Sequence, residues 1–247
     1  MRMSSRSAKM FISLMAVTAG TVLVRGGLMM HPFHHFPFRC LLVLALVTSR
    51  MKVRLPGLTG NMSVNLPFLF LAFMQLNLLE AAIIAFASTL VQSLPNHGEP
   101  LRPIRVLFNV STVTAAAGIA YMVFHVFSMR SGAGHSLALL MSAGTYFFLN
   151  TLPVATIISL TEGAKVIRTW LGIAHLSFPY YVAGTGITSM VSKNGSIGWA
   201  VPFALLPVML GVYRSYRIYF GQGMALEPQR VSSCSAPLTK AKAAGAI

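Results

Sequence analysis

The chain has 247 residues, of which 55% are hydrophobic and 9% charged, with nineteen Lys or Arg against four Glu and no Asp. A soluble domain carries about a quarter charged residues, so this composition excludes a water-soluble globular fold. The net charge of +15 sits in short basic clusters between apolar runs, as in loops that flank membrane spans, so the expected partner is the lipid bilayer and not nucleic acid.

The apolar runs cover 10–28, 36–49, 64–79, 80–95, 104–128, 135–160, 177–191 and 197–213. They predict an all-α fold, a polytopic transmembrane helix bundle of about eight segments. About 20 residues of helix cross a hydrocarbon core of about 30 Å, and several runs meet that length. The second, third, fourth and seventh are shorter, which points to tilt or half-helices. Basic residues ahead of the first run and Val17-Thr18-Ala19 resemble a signal peptide with its cleavage site. The run continues past it through Leu23 and Val24, so a retained first helix is expected.

Residues 64–95 cannot form one straight span, because such a helix would be about 48 Å long. Gln75, Asn77 and Glu80 interrupt the run and predict a turn near Asn77–Glu80 between two short helices. Two full crossings and a re-entrant hairpin both fit the pattern. With the N-terminus inside, the basic residues divide fifteen on the cytoplasmic side to four on the other, as the positive-inside rule requires. A single crossing at 64–95 destroys that bias. Both termini are therefore expected on the cytoplasmic side of the membrane. Residues 1–221 form the membrane domain, and the polar, aperiodic stretch 222–247 reads as a disordered cytoplasmic tail.

Glu80 is the acidic residue set within the apolar region, where a carboxylate faces a cavity, pairs with a base, or binds protons or cations. With Gln75 and Asn77 it forms the candidate ligand or sensing site. The alternative is a partly wet residue at the outer interface, capping the fourth helix. Met29-Met30-His31-Pro32-Phe33-His34-His35 holds soft and borderline metal ligands, but it equally suits an interfacial anchoring loop, and no metal is expected. His125, Asn109 and Asn150 are expected to bond neighbouring helices. Glu162 to Trp170 suits a cytoplasmic interfacial helix. Cys40 and Cys234 define neither a disulfide framework nor a metal site. No nucleophile elbow, phosphate-cradling glycine loop or paired carboxylate occurs, so neither an enzyme nor a cofactor is expected.

Arg50-Met51-Lys52-Val53-Arg54-Leu55-Pro56-Gly57 is followed by Gly60-Asn61-Met62-Ser63-Val64-Asn65. Further along come Glu80-Ala81, Gln92, Phe108-Asn109, Phe178-Pro179-Tyr180-Tyr181 and Tyr213-Arg214-Ser215-Tyr216-Arg217. In order and spacing these resemble the membrane-embedded N-terminal sensory module of bacterial GGDEF and HD-GYP proteins of cyclic-di-GMP signalling. The residues themselves read as a tight basic connection at Pro56, Gly57 and Gly60, with Ser63 and Asn65 capping the next helix. The resemblance implies a sensor-like module of a bacterial inner membrane. Gly221-Gln222-Gly223 and the tail take the place of an output domain, which leaves two readings: a stand-alone module acting on a separate signalling output protein, or a truncated remnant with no output. A small transporter or substrate-binding membrane subunit is the alternative, since paired short helices with polar breaks build transporter sites.

Overall fold

The structure is a computed structural model that describes residues 6–29, 32, 34–54, 61–63, 65–95, 102–130 and 134–192, with isolated positions at 207, 210, 211, 214 and 215. Seven helices occur among the described residues: α1 (Arg6–Leu28), α2 (His35–Ser49), α3 (Leu66–Gln75), α4 (Leu78–Ser93), α5 (Pro103–Arg130), α6 (His135–Glu162) and α7 (Val166–Ser192). The chain is an all-α membrane helix bundle. Spans α1, α5 and α6 are long and apolar enough to cross a membrane. The expected eighth segment, 197–213, lies almost wholly outside the described residues, and the expected tail, 222–247, lies outside them entirely.

Neighbouring side chains give the directions of the helices. Phe11 meets Phe108 with ring centroids 6.2 Å apart, and Val22 lies against Gly118, so α1 and α5 run parallel. Ser142 Oγ donates to the Ala120 carbonyl at 2.8 Å, and Ser189 Oγ lies 3.2 Å from Ser136 Oγ, so α6 opposes both α5 and α7. Gly26 lies against Leu79 while Val22 packs with Leu78 and Ala82, which sets α4 antiparallel to α1. Short α3 begins against Tyr180 and Gly184 of α7 and ends against Tyr121 of α5. The polypeptide therefore goes in and comes back between 65 and 95, breaking at Leu76–Asn77.

Sequence explains the place of α3. All of its residues except Gln75 are apolar, and a helix apolar on every side has to be enclosed. Leu66 to Phe73 are buried, with Phe68, Phe70 and Phe73 fully so, and Phe70 and Phe73 lie edge-on to Tyr146. Ten residues rise about 15 Å, half the hydrocarbon thickness, so α3 is a half-depth helix at the centre of the bundle.

The outer faces carry Met10, Leu14, Val17 and Val24 on α1 and Leu171, Phe178 and Val182 on α7, all exposed. Hydroxyls on such faces have no water in a bilayer. Thr18, Thr145 and Thr156 donate to the carbonyls of Leu14, Met141 and Leu152, one turn back, at 2.9 Å each. These bonds satisfy the hydroxyls within their own helices.

Two local expectations need correction. The basic connection at 50–65 contains an antiparallel pair of short strands, β1 (Lys52–Arg54) and β2 (Asn61–Ser63), with Lys52 opposite Ser63. Pro56, Gly57 and Gly60 lie outside the described residues. The interfacial helix expected near Trp170 is the first part of one continuous α7, which runs through Pro179. Proline there removes a single N–H bond, and packing along α6 outweighs that loss. Glu162 ends α6, and Gly163 at φ 73° turns the chain, a left-handed position that glycine takes without steric cost.

Gly118 allows α1 and α5 to pack closely, because an added Cβ would lie 2.2 Å from Val22 Cγ1. Gly118→Ala should lower stability by about 1–3 kcal/mol. Adding Val22→Ala should recover most of it, as thermal unfolding of the two variants in detergent will test. Failure of the second change to help would mean that these side chains do not limit the α1–α5 approach.

Candidate functional site

The site forms where α3 stops inside the bundle. A helix end leaves carbonyls and amides without partners, and apolar surroundings make each one costly. Side chains of α5 and of the α4 cap meet this demand. Leu76 N–H donates to the Ala72 carbonyl at 3.0 Å and closes the last turn of α3. Tyr121 of α5 donates its hydroxyl to the Leu76 carbonyl at 3.2 Å. His125, one turn on, has its ring 4.2 Å from that of Tyr121 and lies against the Phe73 backbone.

On the α4 side, Asn77 and Glu80 form a reciprocal capping box. Glu80 N–H donates to Asn77 Oδ1 at 2.8 Å, and Asn77 N–H donates to Glu80 Oε2 at 3.0 Å. The same carboxylate reaches the connection ahead of α2. His34 N–H donates to Oε1 at 2.5 Å, and His34 Nδ1 lies 3.1 Å from Oε2. Glu80 is 0% exposed, whereas the His34 side chain is 46% exposed. The carboxylate therefore holds three segments at one point: the break, the start of α4 and the α1–α2 connection. Glu80 thus caps the fourth helix, as one of its two readings expects, but it is fully buried and not partly wet.

Gln75 is the last residue of α3 and Asn77 the cap of α4, so the break brings Asn77 and Glu80 together by hydrogen bonds, with Gln75 just before it. His34 completes the group. It escaped notice at the sequence level because it lies 46 positions from Glu80, although it stood in the histidine-rich loop already singled out. Met30, His31 and Phe33 of that loop lie outside the described residues. Among the described residues no three His, Cys, Asp or Glu side chains gather as a metal site would require.

The residues that carried the resemblance separate into two groups. Asn65 stands at the N-cap of α3, but its side chain makes no cap bond, and Ser63 belongs to β2. The cap comes instead from α7: Leu66 N–H donates to the Tyr180 hydroxyl at 3.0 Å. Tyr181 accepts from Asn150 Nδ2 at 2.8 Å and packs edge-on to Phe147. Asn65, Tyr180 and Tyr181 thus share one region at the start of α3. Lys52 is at the β-hairpin, and Asn109 is exposed on α5; neither joins the Glu80 cluster. Trp170 donates to Thr151 Oγ1 at 3.1 Å and stacks on Phe148, tying α7 to α6.

Buried helix α3 is therefore held at both ends by tyrosine hydroxyls, from α7 at its start and α5 at its finish. A displacement at the Glu80 end cannot leave the Tyr180 end untouched unless one of these bonds breaks. Glu80→Ala removes the acceptor of two backbone amides, Asn77 and His34, at about 1–3 kcal/mol for each one left buried without a partner. Glu80→Gln keeps an acceptor oxygen and should cost less than half as much. Tyr180→Phe should cost about 1–2 kcal/mol through the Leu66 amide. Chemical unfolding in detergent checks the order; Glu80→Ala no worse than Glu80→Gln would remove the carboxylate's structural role.

The chain matches the MASE9 family over residues 8–183, from the first turn of α1 to the middle of α7. The match takes in the break, Glu80, His34, Tyr121 and both tyrosines of α7. Neither a curated protein nor a solved structure matches the chain. MASE domains are membrane-associated sensory modules of signalling proteins. The chain belongs to the MASE9 family.

Proposed function

We propose that the protein is a multi-pass signal-receiving module of a bacterial inner membrane, with no catalytic output of its own, that acts on a separate signalling output protein. The family match supports the membrane sensory part of this reading. The resemblance at residues 50–65 and 178–181 extends it: the output served is cyclic-di-GMP turnover by a GGDEF or HD-GYP protein. Basic residues at the starts of α1, α5 and α7 and at the end of α2 support a cytoplasmic position for that end of the bundle and for the N-terminus. On the same positive-inside argument the C-terminus returns to the cytoplasm.

Reception takes place at the His34–Glu80 pair. His34 is accessible and Glu80 is buried, so an event at the surface reaches a carboxylate that two helix ends depend on. From there α3 carries the change to Tyr180, and α7 leads toward the C-terminal segment. The short α3–α4 pair would also suit a transporter, but the Glu80 oxygens already accept from Asn77 and His34 and leave little capacity for a coupling ion. Reception is the better account of a carboxylate already engaged by two backbone amides.

Reporters fused after Arg54, Arg105 and Arg168 should all report cytoplasm. A diguanylate cyclase domain fused behind Arg217 should give a cellular product level that Glu80→Gln and Tyr180→Phe each change at least threefold at equal protein abundance. Equal product from all three proteins would exclude signal transmission along α3.

A further inference from the structure

We propose that the hydroxyls of Thr89 and Thr114 hold a water molecule between α4 and α5, a binding site separate from the Glu80 group. Buried threonines elsewhere in the bundle bond their own backbone. Thr48, Thr151 and Thr188 donate to the carbonyls of Leu44, Phe147 and Gly184, one turn back, at 2.7, 2.7 and 2.8 Å. Thr89 and Thr114 do not. Thr89 is 3% and Thr114 0% exposed, and each Oγ1 is buried with no hydrogen-bond partner among the described residues. Buried hydroxyls are rarely left so, because losing water without a replacement bond is costly.

The fold sets the two hydroxyls against each other. Helix α4 runs antiparallel to α1, and α1 runs parallel to α5, so α4 and α5 are antiparallel. At one level of this pair Tyr121 packs against the cluster that holds Leu78 and Ala82. Seven residues make almost two whole turns and return to the same face of a helix. Seven positions on from Ala82 is Thr89, and seven back from Tyr121 is Thr114. Opposite steps along antiparallel helices reach the same level, so both hydroxyls enter one interface. Ala85 and Ala117, small and buried, stand between the two levels. Thr112 also has a buried hydroxyl without a partner, but two positions from Thr114 it lies on the opposite side of α5. Each hydroxyl of the facing pair offers one donor and free lone pairs, as a bridging water requires. Nothing in the pair is charged, and Glu80, nine positions before Thr89, already accepts from two amides. A cation would find no counter-charge there, so the chemistry fits water.

The test uses the full chain in lipid bilayers with labelled threonine, and water-edited solid-state NMR follows magnetisation from water to each side chain. Thr89 and Thr114 should receive it about threefold faster than Thr48 and Thr188, which are equally buried but bonded to their own helices. Thr89→Val and Thr114→Val each remove one hydroxyl and keep the branched shape. Either should slow the transfer to the threonine that remains. Either should also raise the unfolding constant in detergent about fivefold, and the double substitution no further, because one water is lost once. Transfer no faster than to Thr48 would mean a dry interface, with the hydroxyls bonded to each other or to their own helices, and would overturn the site. So would greater stability in either valine variant, or losses that add in the double, since each hydroxyl would then act alone.

Discussion

Where α3 stops inside the bundle, its last carbonyls and the first amides of α4 have no water to bond, and much of the structure supplies them with partners. Glu80 bonds the amide of Asn77, and Asn77 returns the bond to Glu80. Tyr121 takes up the Leu76 carbonyl. The connection between α1 and α2 is drawn in because the same carboxylate accepts from His34. Without this group of bonds, the buried backbone groups at the break would be left without partners, each at a cost in free energy.

The same requirement acts at the other end of α3, with a different solution. Asn65 is well placed to cap the helix, yet Tyr180 supplies the bond from α7. A cap taken from a distant helix couples two elements that a local cap would leave independent. Helix α3 touches no exposed surface through its buried residues Leu66 to Phe73, so it can move only with the helices that hold it. The fold thereby links accessible His34, through Glu80 and the buried α3, to the long helix α7 by hydrogen bonds at both ends of α3.

Much of the bundle was legible in the residues. Apolar runs located α1, α5 and α6, because a segment that must cross lipid has to be apolar along its whole length. The break in 64–95 was legible because the run is too long for one span and Gln75, Asn77 and Glu80 interrupt it. The start of α7 was not, since Val166 to Ser177 mixes Arg168, Trp170 and His175 with apolar residues and lacks the uniform hydropathy of a span. The β-hairpin was missed for a related reason: three-residue strands carry too short an alternation to register.

At the candidate site, Glu80 and Asn77 could be named from sequence, because a carboxylate in an apolar run is conspicuous. His34, Tyr121 and Tyr180 could not be assigned to it, since each lies more than forty positions from the residue it bonds. The amino-acid sequence by itself determined that the chain enters lipid, where its helices break and which way its charge is biased. These follow from composition and local spacing, which act within a single helix. Only the tertiary structure decided which side chains satisfy the broken backbone. Those choices depend on the directions and depths at which separate helices meet, and no local pattern records them.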